Sequence, residues 1–295
     1  MSKDNKSLQV ITFLIIFLAT ITSVTGLFYT TGGKAYNFMN QYGTMVKIYG
    51  NGLYARDSYR AAPLFRGTDF TILFLAIPIL IVALILDVKK KKLKTRLFLM
   101  SVISLFTYYS ASIAFGVTYN MLQLVYIALF SASFFGLIIA IGSIDKKQLV
   151  ESIGDKLPLK GIYIFLTFTG ISLIVAWLPD IISSLVLGHS LELIDVYTTE
   201  ITYVLDMGII APVAFICLFQ LKKRSAIGYV ILEILLTVCN LVGIMLPIQT
   251  AFQVMAGIPT PMPVIITKVG SFVLLAFFAL YFNIKFLNNV KQSAT

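Results

Sequence analysis

Eight apolar runs of close to 20 residues each constrain this chain more than any other feature, because about 20 apolar residues in a helix match the hydrocarbon core of a bilayer. They cover 8–28, 70–86, 97–117, 121–141, 161–178, 201–221, 226–246 and 264–286. Lipid offers no hydrogen-bond partner to backbone N–H and C=O, so a spanning segment must be a helix or part of a closed barrel. The period-2 alternation of barrel strands is absent. With 58% hydrophobic residues, 12% charged residues and a mean hydropathy of +0.91, the chain has too little polar surface for a soluble domain of 295 residues. The expectation is an all-α, polytopic transmembrane bundle of about eight helices, forming one domain over 1–295.

Orientation follows from the cations, which are retained on the cytoplasmic side during insertion. With the N-terminus inside, every lysine and arginine of the 23 falls in a cytoplasmic segment except Lys34, Lys47, Arg56, Arg60, Arg66 and Lys268. The densest cluster is KKKKLKTR at 89–96. Both termini are expected in the cytoplasm. The net charge of +10 thus reads as a topology signal, not a nucleic-acid footprint. The basic, apolar start resembles a secretory signal but lacks a clear A-x-A cleavage site, so the first helix is expected to be retained.

Two outer segments carry information. The first, 29–68, is rich in tyrosine and glycine and is expected to form an ordered extracellular cap. The second, 179–199, contains IISSLVL, too short to span and suited to a helix lying in the interface. Each precedes a matching pentad, GTDFT at 67–71 and TTEIT at 198–202, followed by a proline (Pro78, Pro212) and a cytoplasmic lysine cluster. Two readings stand: parallel four-helix halves, 1–150 and 151–295, or chance similarity among apolar helices. At an out-to-in helix entrance the pairs Thr68–Asp69 and Thr199–Glu200 fit N-caps, since the first N–H groups lack partners there. The other reading is two carboxylates facing each other across an outer vestibule.

Asp206 lies about 9 Å deeper than Glu200 at 1.5 Å per residue, beyond a capping role. An ionisable group at that depth costs a few kcal/mol unless it faces protein or water. Helical spacing places Thr199, Thr202, Tyr203 and Asp206 on one face, above Gly208 and the helix-bending Pro212. Lys268 is the one cation within a span, and an Asp206–Lys268 pair is expected, either as a structural lock or as a ligand- or proton-binding pair. Glu233, Thr237 and Asn240 form a polar stripe on the seventh helix; Glu233 is either a step on a proton or ion path or a buried neutral acid. The third helix presents Ser101, Ser104, Tyr108 and Ser112, while Ala132, Gly136 and Ala140 favour close packing of the fourth. Gln249 and Gln253 are expected at the outer vestibule.

One histidine, His189, and two cysteines within apolar runs, Cys217 and Cys239, give no zinc or haem ligand set and no disulfide framework. No nucleophile stands beside a histidine and no glycine-rich loop cradles phosphate, so an enzyme is disfavoured and no cofactor is expected. The stretch VYTTEITYVLDMGIIAP at 196–212, with RGTD at 66–69 and TYN at 118–120, resembles an uncharacterised family of multi-pass membrane proteins from Gram-positive bacteria. That resemblance implies a bacterial cytoplasmic membrane and no activity. The functional reading is a small-solute or ion transporter or a membrane receptor, with membrane lipids and a small ligand as partners. Its outward-facing site is formed by Asp206, Lys268, Tyr203, Glu200 and Asp69, with Glu233 and Asn240 deeper. The alternatives are an accessory membrane subunit and a lipid-modifying membrane enzyme.

Overall fold

The computed structural model describes residues 5–154, 157–259, 261–264, 266 and 269–291. Its helices are α1 (Lys6–Phe28), α2 (Ala61–Lys90), α3 (Leu93–Gly116), α4 (Gln123–Gly142), the short α5 (Lys146–Ser152), α6 (Leu159–Leu187), α7 (Ile201–Lys222), α8 (Ala226–Met255) and α9 (Gly270–Asn289). All but α5 are long and apolar enough to cross a membrane, eight among the described residues. The chain is an all-α, multi-pass integral membrane protein. An even number of crossings puts both ends on one side, the side of the lysine clusters; the other side is called outer below.

Helix contacts recur in the two halves of the chain. α1, α2, α3 and α4 close a ring in which each touches the next and α4 returns to α1, and α6, α7, α8 and α9 close a second ring in the same order. The rings meet where α3 packs on α8, α2 on α8 and α3 on α7, so exchanging the second and third helices of one ring for those of the other maps the interface onto itself. Small residues permit the close approaches. Ala132, Gly136 and Ala140 are buried, and a Cβ on Gly136 would press on Ile15 and Ile11 of α1, as their spacing predicts.

Three helix boundaries differ most from the sequence expectation; one is the end of α8, which runs through Pro247 to Met255 and not to 246. α2 begins at Ala61, not beside Phe70, because Ser58 accepts the N–H of Ala61 and Pro63 occupies the first turn, where its missing N–H costs nothing. Thr68 and Asp69 therefore lie inside the helix and cap nothing. In the second pentad Glu200, not Thr199, is the N-cap residue of α7, without a side-chain cap bond. The interfacial helix expected after Pro179 is instead the continuation of α6, which runs through that proline to Leu187 and stops at Gly188 in the left-handed region (φ 69). Staying helical keeps the remaining backbone groups paired, while Ile182, Leu185 and Val186 stay exposed to lipid.

Pro78 and Pro212 produce the same local answer. A five-residue π segment stands just ahead of each, Ile72–Ala76 in α2 and Asp206–Ile210 in α7, closed by Ile77 N–H to Ile72 C=O and Ala211 N–H to Asp206 C=O. The wider turn accommodates the ring that would otherwise meet the carbonyl four residues back, so the helices continue through the prolines. In this register Asp69 is matched by Tyr203, not by Glu200 as pairing the pentads suggests.

At the cytoplasmic end, Arg96 of α3 holds Asp87 of α2 through Nη2 at 2.9 Å and Nε at 3.0 Å, both side chains almost fully buried. The cation read only as a topology signal thus locks the α2–α3 hairpin, whose turn passes through Lys91 at φ 48. Truncating one partner strands the other charge out of water. Arg96→Ala is expected to lower stability by about 3–5 kcal/mol, read as the thermal unfolding midpoint in detergent, and Arg96→Lys to restore it only in part, since an ammonium lacks the planar fork.

Candidate functional site

A cavity of about 280 Å³ opens between the two rings at their outer ends. α2 contributes Leu64, Phe65 and Thr68, α3 Tyr108, Tyr109 and Ser112, α7 Ile201, Thr202, Tyr203 and Asp206, and α8 Met245, Leu246 and Gln249. These four helices are the ones that cross the interface between rings. α6 adds Trp177 and α9 adds Phe272. The apolar wall with a few convergent polar groups is the composition of a small-molecule site.

Asp206 is 6% exposed and belongs to this wall. Its Oδ1 accepts the Tyr108 hydroxyl and its Oδ2 the Trp177 indole N–H, each at 2.9 Å. The Trp177 ring stacks on Tyr203 with centroids 4.8 Å apart, and the Tyr203 hydroxyl reaches Asp180 at 2.8 Å. An indole and a phenol from two other helices thereby hold one carboxylate at the start of a π segment. Beyond it lies a second void of about 40 Å³, bounded by Asp206, Thr169, Cys239 and Phe272. The Thr169 hydroxyl is buried there with no hydrogen-bond partner among the described residues.

The expected site residues separate into groups. Asp206, Tyr203 and Glu200 line the outer cavity together with Gln249, which donates to Thr68 at 2.6 Å. Asp69 does not face it. That carboxyl is fully buried behind the wall, accepting Tyr54 at 2.6 Å and Tyr109 at 3.2 Å, and fills the space that a side chain on Gly26 of α1 would need. Its expected place on the approach is thus corrected: it ties α1, α2 and α3 to the cap. Glu233 is buried nearer the cytoplasmic end, and Asn240 is half-buried without a hydrogen-bond partner among the described residues. Lys268, and with it the expected pair with Asp206, lies outside the described residues.

Trp177 and Arg60 escaped the sequence reading. A tryptophan near the end of an apolar run reads as an interface anchor, and Arg60 as an outer cation. In the structure Arg60 forms the outer rim, its Nε 3.0 Å from Asp195 Oδ2 and its Nη2 2.8 Å from the Leu193 carbonyl. Burial raises the Glu200 carboxyl on the same rim, against the opposing pull of Arg60.

The roof is the cap, the segment between α1 and α2. β1 (Tyr36–Met39) and β2 (Met45–Ile48) pair antiparallel, with Tyr36 opposite Ile48. The cap grips the loop before α7: Asn40 donates to the Asp195 carbonyl at 2.6 Å, Ser58 to Asp195 Oδ2 at 2.7 Å and Gln41 to the Tyr197 carbonyl at 2.9 Å. Asp57, fully buried, accepts the Tyr197 hydroxyl at 2.9 Å and the Thr118 N–H at 3.0 Å. Burial pushes its carboxyl from 3.8 up to about 7, and those two hydrogen bonds offset only part of the rise.

The docked state therefore retains a proton that an undocked Asp57 releases. Its contribution to docking is complete in acid, declines from pH 3.8 to about 7, and is absent above that. Amide exchange across 36–48 is expected to accelerate over this window in the wild type. In Asp57→Asn, which keeps an acceptor for Tyr197 and Thr118 without the charge, that component is expected to vanish. No protein-family model, curated protein or solved structure matches this chain.

Proposed function

We propose that this protein is a small-solute or ion transporter of a bacterial cytoplasmic membrane, with its ligand site in the outer cavity and Asp206 as the principal ligand contact. The observation that carries the reading is the cavity's position between two four-helix rings, with a buried carboxylate at the first residue of a π segment in its wall. An accessory subunit would need its polar groups only for packing. Here Asp206, Glu200, Tyr203 and Gln249 instead border open volume.

Transport is favoured over signalling by the arrangement of moving parts. Both π segments belong to helices that wall the cavity, one in each ring, and such segments interrupt regular helix at functional positions. The rings meet mainly through α2, α3, α7 and α8, so a rocking of one against the other would alter this cavity first. The small void beyond Asp206 extends the opening toward the cytoplasmic half.

Trp177 is the single tryptophan of the chain, so its emission reports the site directly. Purified protein titrated with a panel of amino acids, amines, carboxylates and inorganic ions is expected to change Trp177 emission for one class. Asp206→Asn is expected to weaken that response about 10- to 100-fold, as loss of a charged hydrogen-bond acceptor implies, with the unfolding midpoint little changed. A ligand whose binding Asp206→Asn leaves intact removes this residue from the site and the reading with it.

A further inference from the structure

Glu233 is the one buried acid of the spans for which the outer site, the cap and the cytoplasmic lock give no role. It is fully buried on α8, seven residues from Ala226, about 10 Å inside that end at 1.5 Å per residue. Two other helices converge on it, one from each ring. Ser101 of α3 donates to Oε1 at 3.3 Å and Asn283 of α9 to Oε2 at 3.4 Å, while the same Asn283 amide donates to Thr237 of α8 at 3.0 Å. The bonds are longer than those of the other buried carboxyls: Asp69 accepts one at 2.6 Å, Asp206 two at 2.9 Å, and Asp87 holds an arginine at 2.9 Å.

The charged groups around it leave it without a counter-ion among the described residues. Lys94 of α3 acts on it from the cytoplasmic end, but its ammonium donates to Asn288 of α9 at 3.1 Å. Arg96 of α3 is engaged with Asp87 of α2, Lys285 of α9 lies over the Tyr281 ring, Lys222 of α7 over the Phe219 ring, and Lys146, Lys147 and Glu151 of α5 are exposed. Tyr229, one turn away on α8, stacks on Phe286. A carboxylate so enclosed costs a few kcal/mol when charged, and weak neutral donors offset less of that cost than a guanidinium does for Asp87.

We propose that Glu233 is a proton-binding site that couples ligand movement in the outer cavity to proton movement from the cytoplasmic side. This rests on the transporter reading above. The step is a single protonation: a new O–H bond forms on one carboxyl oxygen, the proton comes from water at the Lys94 end, and the reverse step returns it there. A bound proton converts Glu233 from an acceptor only into a donor and acceptor. A proton on Oε1 lets Glu233 donate to the Ser101 hydroxyl, whose own hydrogen can go to the Phe98 carbonyl 3.0 Å away, and a proton on Oε2 faces the Asn283 N–H; either changes how α3 or α9 holds α8. The same helix carries Val242, Met245 and Gln249 into the outer cavity, and Val238 and Cys239, next after Thr237, into the void beneath Asp206. A proton fits better than a metal ion, because the carboxyl oxygens face an amide N–H and a hydroxyl donor in place of the several oxygens a hard cation takes.

Infrared difference spectra of the full chain in liposomes, titrated with pH in H2O and D2O, test this without knowledge of the ligand. The wild type is expected to show a protonated-carboxyl C=O band that disappears reversibly as pH rises and shifts in D2O. Glu233→Gln is expected to lose it while the unfolding midpoint and the Trp177 response to ligand are retained. If Glu233→Gln does not fold, Glu233→Asp keeps a titrating acid and is expected to move the band's midpoint. A wild-type spectrum identical to that of Glu233→Gln, or a Glu233 band that neither titrates nor exchanges, overturns the proposal and leaves a sealed structural acid. Failure of the cavity reading would appear separately, as a ligand response indifferent to Asp206→Asn.

Discussion

Inside a bilayer every polar group must find its partner in the protein, and the described structure is organised by that demand. The backbone meets it by remaining helical even where prolines intervene, widening into π turns ahead of Pro78 and Pro212 and passing directly through Pro179. Threonine and serine side chains within the spans mostly bond to carbonyls three or four residues earlier, as Thr12 does to Leu8 and Ser104 to Ser101. The buried carboxyls are the costly residues, and each is met differently: Asp87 by a guanidinium, Asp69 by two tyrosines, Asp206 by a tyrosine and an indole, Glu233 by weak neutral donors. Of the four, Asp206 alone borders a cavity.

The number of spans was legible because it depends on local composition and length. Asp206, Tyr203 and Gln249 were legible as cavity residues because a polar group deep in an apolar run has few reasons to be there. What stayed hidden is which neighbour each group meets. Asp69 and Glu200 stand in pentads of the same pattern, yet Ser58 and Pro63 start α2 far enough upstream to carry Asp69 behind the wall, while Glu200 remains at the rim. Trp177 was concealed by its apolar surroundings and Arg96 by its membership of a lysine cluster.

The two rings also show how architecture can repeat when the residues do not. π segments, prolines and helix contacts recur in the same places, but the position that Asp69 holds in α2 belongs to Tyr203 in α7, and the one that Asp206 holds in α7 belongs to Ile72 in α2. Backbone devices tolerate such exchange because they depend on where the proline lies. Side chains at the interface do not, so only one ring places a carboxylate in the cavity wall. An asymmetric site at a symmetric junction is the result.

The grip of the cap on Asp195 and Tyr197 has a consequence for biogenesis. Asn40, Ser58 and Arg60 emerge from the ribosome well before the residues they hold, with four spans separating the two sides of the clasp. Until the loop before α7 crosses the membrane, those three side chains lack the groups they hold in the finished fold. Docking therefore comes late in assembly, and a chain whose second ring is misinserted would keep an open, tyrosine-rich flap within reach of proteases.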